Sequence, residues 1–275
     1  MDLFARCFLL VFLQLYVGGL LALSVPPFQG IERGFYKSTA SVYLAFGILA
    51  FAGRCALLMR PAAGVQATPA AHVELALWVV SLSACAVYVH SLWGDHYQRR
   101  ARAYVVAWMA GITALAVDAQ LFRIGALLSF ETLLYPLSFL ISALVLGSVT
   151  TGMLLGHWYL IDHDLSIEPF RKLFRFFVAT LIIQAILMVL TSGLLELGTA
   201  SADKINALFT EHTALLAVRL LFSPIATAAL AWMIWKTLQI PQTMAATGLF
   251  YIAILSVLVG ELMSRFLLFR AAVPL

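Results

Sequence analysis

Charge is what this sequence has least of. Only 11% of its 275 residues are charged, 63% are hydrophobic and the mean hydropathy is +0.98, whereas about a quarter of the residues of an ordinary soluble domain carry charge. That shortage excludes a soluble globular fold. The formal net charge of +4 is small and divided among separate loops, so it speaks for membrane orientation and against nucleic-acid binding. Cysteine is also scarce. Cys7, Cys55 and Cys85 stand singly in apolar runs with no C-x-x-C pair, which argues against an iron–sulfur cluster or structural zinc of the chain's own; they read as small apolar fillers. Phosphate-binding loops, H-E-x-x-H helices and Ser/His/Asp arrangements are absent, so no soluble-enzyme constellation is present. The paired Gly/Pro interruptions of many transporters are missing as well.

What remains is apolar sequence in lengths that fit a bilayer, which takes about 20 residues per helical span. Eight spans are expected: Leu3 to Ser24, Ser38 to Met59, His72 to Trp93, Ala103 to Phe122, Thr132 to Leu160, Phe170 to Leu197, Leu208 to Leu238 and Gln242 to Leu268. The first run has no small-residue cleavage site and reads as a span, not a signal peptide. Pro26-Pro27 and Arg60-Pro61 close the first two, a Pro/Ala/Gly loop precedes the third, and the longest connection is Gly198 to Ala207. Pro136 and Pro224 fall inside or at the ends of spans, where neighbouring helices can satisfy the freed backbone groups. The fold class is therefore all-α: one polytopic membrane domain over 1–275, with two four-helix bundles as its simplest subdivision.

The chain is organised around Leu137 to Arg175. An apolar run there carries Ser148, Gly152 and Gly156 at four-residue spacing, which lets a neighbouring helix approach closely. It ends in aromatic and histidine residues and then Arg171, Lys172 and Arg175, the pattern of a span reaching its interface. A weak internal repeat pairs halves 1–125 and 130–275. Asp118 then Arg123 answers Glu261 then Arg265, and Gly18-Gly19 answers Gly152 and Gly156.

Cations set the orientation. Arg33, Lys37, Arg99, Arg100, Arg102, Arg171, Lys172, Arg175 and Lys236 lie towards one face. The other holds Arg6, Arg60, Arg123, Lys204 and Arg270 beside the acids Asp2, Glu74, Glu131, Glu196, Asp203 and Glu211. Excess Lys and Arg mark the cytoplasmic side, so both termini are expected outside, in a bacterial inner (cytoplasmic) membrane.

Two constellations could carry chemistry. At the cytoplasmic mouth, the third and fifth spans exit with the same H-x4-D-H spacing: His90, Trp93, Asp95 and His96 in one, His157, Trp158, Asp162 and His163 in the other. Imidazoles there could ligate a metal or b-type haem, with His90 and His157 as the candidates, or bind a quinone headgroup and relay protons. Trp, Tyr and His also simply favour the headgroup layer. In the outer half, with Gln184 nearer the middle, stand Arg54, Asp118, Gln184, Arg219, Glu261 and Arg265. An ionisable residue costs about 2.5–3.5 kcal/mol at mid-bilayer on insertion scales, so these should face the interior and pair. Glu261 and Arg265, four apart, share a helix face, and Asp118 is expected against Arg54 or Arg219. Such a cluster is a proton path, the polar end of a quinone pocket, or a structural network pinning helices together.

The segment Val259-Gly260-Glu261-Leu262-Met263-Ser264-Arg265-Phe266-Leu267-Leu268-Phe269 resembles the last span of the membrane anchors of molybdopterin oxidoreductases. These are the dimethyl sulfoxide reductase anchor and its polysulfide-reductase (NrfD-like) relatives, in which a pattern G-E-L/M-x-G/S-R recurs. The first span is similar too, placing Gln14 ahead of Gly18-Gly19. The second span departs from the family's histidine-glycine segment near its quinol site, offering Gly53-Arg54-Cys55, and the His157-Trp158-Tyr159 mouth is foreign to it. Glu261 and Arg265 transfer directly. The resemblance implies a subunit without redox metal that binds quinol in the membrane and passes electrons to an iron–sulfur partner, in a complex with a catalytic or cytochrome subunit. The competing expectations are a haem- or metal-binding membrane subunit, a small transporter, and a scaffold or assembly subunit.

Overall fold

The computed structural model describes residues 2–59, 69–122, 129–162, 164–197, 208–240 and 242–275. Among them are eight helices long and apolar enough to cross a membrane, of 21 to 30 residues each. They are α1 Asp2–Ala22, α2 Arg33–Leu58, α3 Pro69–Ser91, α4 Tyr97–Gln120, α5 Glu131–Trp158, α6 Glu168–Leu197, α7 Thr213–Gln239 and α8 Thr243–Ala271. An even number of alternating spans puts both ends of the chain on one face of the bundle, called here the termini side. The Gly198 to Ala207 connection, the loop ahead of α3, and Arg60, Arg123, His163, Asp203 and Lys204 lie outside the described residues.

The helices begin earlier than hydropathy alone places them where cations open the span. Both α2 and α4 incorporate theirs, Arg33 and Lys37 in one, Arg99, Arg100 and Arg102 in the other. Long cationic stems lie along the helix while their heads reach the interface, so charge does not mark the end of the helix. Pro136 sits inside α5 and brings no N–H for the carbonyl of Thr132. The Gln120 side-chain amide donates to that oxygen at 2.7 Å, so a neighbouring helix supplies the missing bond.

Helix α5 is the most enclosed span, with 72% of its apolar window buried. It packs against α1, α6, α8 and α4, while α3 pairs with α4 and α1 with α2. Its closest crossing is with α1. A Cβ placed on Gly18 would lie 1.6 Å from the Ala143 carbonyl oxygen, and one on Gly147 would lie 2.0 Å from the Gly18 carbonyl carbon. Backbone therefore meets backbone, and Gln14 donates to the Phe139 carbonyl at 3.0 Å just beside it. The stripe Ser148, Gly152, Gly156 serves other neighbours. Ser148 meets Thr180 of α6 at 3.2 Å, Gly152 lies against Phe250 and Gly156 against Thr247 and Phe170. In lipid, where apolar burial gives helices little reason to associate, such close approaches and buried polar links hold the bundle. The outer surface is apolar, with Ile182, Ile186, Val189 and Trp232 each more than half exposed.

Candidate functional site

Two buried charge clusters occupy the termini half of the bundle. The first gathers the C-terminal ends of α2 and α4 and the start of α3. Arg54 lies one turn before α2 ends, and Asp118 two residues before α4 ends. Its guanidinium reaches Asp118 through both Nη1, 3.1 Å from Oδ2, and Nη2, 2.8 Å from Oδ1, and reaches Glu74 Oε2 from Nη2 at 2.6 Å. Trp78, one turn along α3, donates Nε1–H to the other Glu74 oxygen at 2.9 Å. The two carboxylate side chains are 1% and 4% exposed and that of Arg54 is 23% exposed. One cation thus faces two acids, a formal local charge of −1.

Arg54 and Asp118 also form the polar wall of a cavity of about 230 Å³. The rest is mostly apolar: Leu9 and Leu10 of α1, Leu57 and Leu58 of α2, and Phe122 and Phe269, with Arg6 at the rim. A mostly apolar pocket with a few convergent polar groups suits a small amphiphilic ring.

The second cluster centres on Glu261 of α8, which is fully buried. Its Oε1 accepts from Gln184 Nε2 of α6 at 2.7 Å and from Arg219 Nη1 of α7 at 2.9 Å, while Arg265 Nη2 stands 3.6 Å from Oε2. Arg265 donates instead to Ser142 Oγ of α5 at 2.8 Å, and its guanidinium lies over the Phe139 ring at 4.8 Å. The local shape of α7 makes this possible. Pro224 brings no N–H, and the helix widens into a π-turn over Leu221–Ala226. The Thr227 and Ser256 hydroxyls donate to the Phe222 carbonyl at 2.8 and 2.7 Å. The same segment brings Ser223 to donate to Gln184 Oε1 at 3.2 Å, and Ser223 packs so tightly on Gly260 that a Cβ there would meet it at 2.5 Å. Two guanidiniums around one carboxylate make this cluster formally +1, and Arg219 Nε, Arg265 Nε and Arg265 Nη1 are buried with no hydrogen-bond partner. The two clusters meet through aromatic rings. Arg265 stacks on Phe139, Phe139 lies 5.8 Å from Phe122, and Phe122 lines the cavity beside Asp118.

All six outer residues expected from the sequence are therefore interior and paired, but in two groups. Asp118 is the partner of Arg54, not of Arg219, and the shorter bonds of Glu261 run to Arg219 and Gln184 while its own helix-mate Arg265 stands farther off. Sequence reasoning missed Glu74, taken for an interfacial acid because it opens a span. The signal available was Trp78 four residues on, on the same helix face. Ser142 and Ser223 gave no signal apart from neighbouring Pro224.

The residues of the opposite mouth do not converge. His90 and His157 are exposed on helices that are not packed together, and His96 is exposed where α4 begins. Asp95 pairs with Arg33 at 2.8 Å, and that guanidinium holds its carboxyl below the usual range. Asp162 accepts the backbone N–H of Asp164 at 3.3 Å. Trp158 fills the space over Gly34 and beside Phe35. Tyr159 donates to the Ser166 carbonyl at 2.5 Å and stacks on Phe170, and burial pushes its hydroxyl up to about 12. His163 lies outside the described residues. Among the described residues no group of three or more His, Cys, Asp and Glu could hold a metal.

In comparisons with known proteins, the family described as DMSO reductase anchor subunit (DmsC) matches residues 98–270, more than half of the chain. The matched stretch includes Asp118, Gln184, Arg219, Glu261 and Arg265. No curated protein and no solved structure matches.

Proposed function

This chain belongs to the DMSO reductase anchor subunit family, and on that premise we propose that it binds quinol at the termini-side cavity and takes up the protons released there. As an anchor subunit it is a multi-pass membrane protein of a DMSO reductase complex, which implies catalytic and iron–sulfur partner subunits. A reductase draws electrons, so quinol in the membrane is the donor: it loses two electrons to the iron–sulfur partner and two protons, leaving quinone. The observation that carries this reading is Arg54 holding two acids, Glu74 and Asp118, at the wall of a mostly apolar cavity. The ring lies among Leu9, Leu10, Leu57 and Phe122, and a quinol hydroxyl donates to Asp118. The first proton brings the local charge from −1 to zero, and the second follows once the first has left towards the aqueous face. Arg54 keeps the second acid charged throughout and orients both. The +1 cluster around Glu261 lies beyond Phe122 and Phe139. It steadies the negative wall electrostatically and pins α5, α6, α7 and α8 together. The excess of Lys and Arg on the far face supports a bacterial inner membrane with both termini outside.

The test uses the intact complex with two donors. Asp118→Asn lowers quinol-driven reductase turnover by about 10²-fold or more, the scale of a lost general base, while turnover with a soluble artificial reductant of the catalytic subunit is unchanged. Equal quinol- and dye-driven rates in wild type and variant would remove the cavity from the electron path.

A further inference from the structure

A second cavity at the opposite mouth has no part in the quinol reading. Arg100 lies in the first turn of α4 and is 7% exposed. Its guanidinium carbon is 4.7 Å from the Phe28 ring and 5.9 Å from the Tyr97 ring, and its Nη1 is buried with no hydrogen-bond partner. It lines a cavity of about 410 Å³ together with Phe28, Tyr36, Tyr88, Tyr97 and Tyr104. The hydroxyls of Tyr36 and Tyr104 donate to the carbonyls of Pro26 and Leu20, and neither is bonded to the Arg100 Nη1. The neighbouring acid Asp95 is already paired with Arg33. Aromatic faces offset part of the cost of burying this cation, but a buried charge without a counter-ion is expensive. An anion entering this cavity would give the free Nη1 a partner.

We propose that Arg100 and its aromatic walls bind the phosphate of an anionic phospholipid. Three features select a lipid. The site lies where α1 and α3 end and α4 begins, at the depth of the headgroups. Its walls are aromatic and apolar, which suits the glycerol and upper acyl chain of an amphiphile. Tyr97 also lines an adjoining groove between α3 and α4, where Arg99 and Arg102 stand at the head and Val87, Val106 and Ala84 run below, cations above an apolar track. One phosphate on Arg100 with a chain lying along that track satisfies both cavities.

The experiment takes the complex extracted in detergent and stripped of lipid, and follows its thermal midpoint and its retained phospholipids by native mass spectrometry. Phosphatidylglycerol raises the midpoint and is retained. Phosphatidylcholine and inorganic phosphate at matched concentration do neither. Arg100→Gln weakens phosphatidylglycerol binding about tenfold or more, the scale of a lost charge-assisted bond. Arg100→Lys, which keeps the charge but not the planar fork, falls between, and exposed Arg99→Gln loses less than Arg100→Gln. Quinol-driven turnover in fully lipidated membranes is the same in all, which separates this site from the cavity beside Arg54. The proposal is overturned if phosphatidylcholine serves equally well, if free phosphate alone reproduces the shift, or if Arg100→Gln binds lipid normally but sheds a partner subunit, which would assign the anion to that partner. Should Arg100→Gln fail to accumulate, the three wild-type ligand arms and Arg100→Lys decide the matter.

Discussion

Replacing Glu261 by Gln and Asp118 by Asn removes one negative charge in each case, from side chains buried to nearly the same degree, yet the two should behave very differently. Glu261 is the one carboxylate side chain in contact with Arg219 and Arg265 among the described residues, Arg219 having besides it a 3.4 Å bond to the Leu275 oxygen, and the side chains of Glu261 and the two arginines are 0–1% exposed. Glu261→Gln leaves two guanidiniums in a dry interior, and breaking a buried pair in this way costs about 3–5 kcal/mol. Against a total stability of about 5–15 kcal/mol, that is enough to deplete the folded protein. Asp118→Asn leaves Arg54 bonded to Glu74 at 2.6 Å, and the local charge moves from −1 to zero. The lost bond, about 0.5–1.5 kcal/mol net, is offset by one fewer buried charge, so the net change is smaller than for Glu261→Gln. The assay is the abundance of the complex in membranes and its thermal aggregation midpoint in detergent. Glu261→Gln lowers both sharply, and adding Arg265→Met recovers part of the loss by removing one orphaned cation. Asp118→Asn leaves both near wild type. Equal stability of the two single variants, in either direction, would refute the charge accounting.

Three further outcomes follow. Gly18→Val and Gly147→Val abolish accumulation, because a Cβ there strikes backbone of the facing helix, whereas Gly193→Ala and Gly248→Ala, with nothing within 4 Å, leave abundance unchanged; quantitative immunoblotting of membranes reads this. Alkaline phosphatase fused after Leu275 is active and its fusion within the Arg99–Arg102 stretch is not, if the termini side faces outward. Arg33 lowers the Asp95 carboxyl, so any stability from that pair exists above the ordinary carboxylate range and is lost as pH falls through the lowered value. The pair is open to solvent, so Asp95→Asn gives the same thermal midpoint as wild type from about pH 5 to pH 8; a gap that closes only in acid would show that the pair matters.

The fold was legible because lipid leaves the chain few options. Apolar runs of about 20 residues with no water to satisfy the backbone must be helices or barrel strands, and their lengths fix the number of spans. The starts of α2 and α4 were not legible, since Arg33 and Arg99 read as loop residues whereas both lie within helices. Ionisable residues inside spans announced themselves by cost, which is why Arg54, Asp118, Arg219, Glu261 and Arg265 stood out. Which acid meets which base depends on how helices rotate about their axes, and Gly18, Gly147 and the Pro224 π-turn set that only through contacts between distant segments. Glu74 was hidden for a related reason: two residues inside a span, an acid looks interfacial until Trp78 and Arg54 are found around it. The histidine mouths mislead in the other direction, because a repeated H-x4-D-H spacing says nothing about which way each ring points.

The most direct test is photolabelling of the intact complex with an azido-quinone. The account predicts label on the cavity wall, in peptides carrying Leu9 and Leu10, Leu57 and Leu58, or Phe122, competed away by quinol and reduced by Arg54→Gln. Label confined to the His90 and His157 mouth, or label at the wall that quinol does not displace, would contradict it.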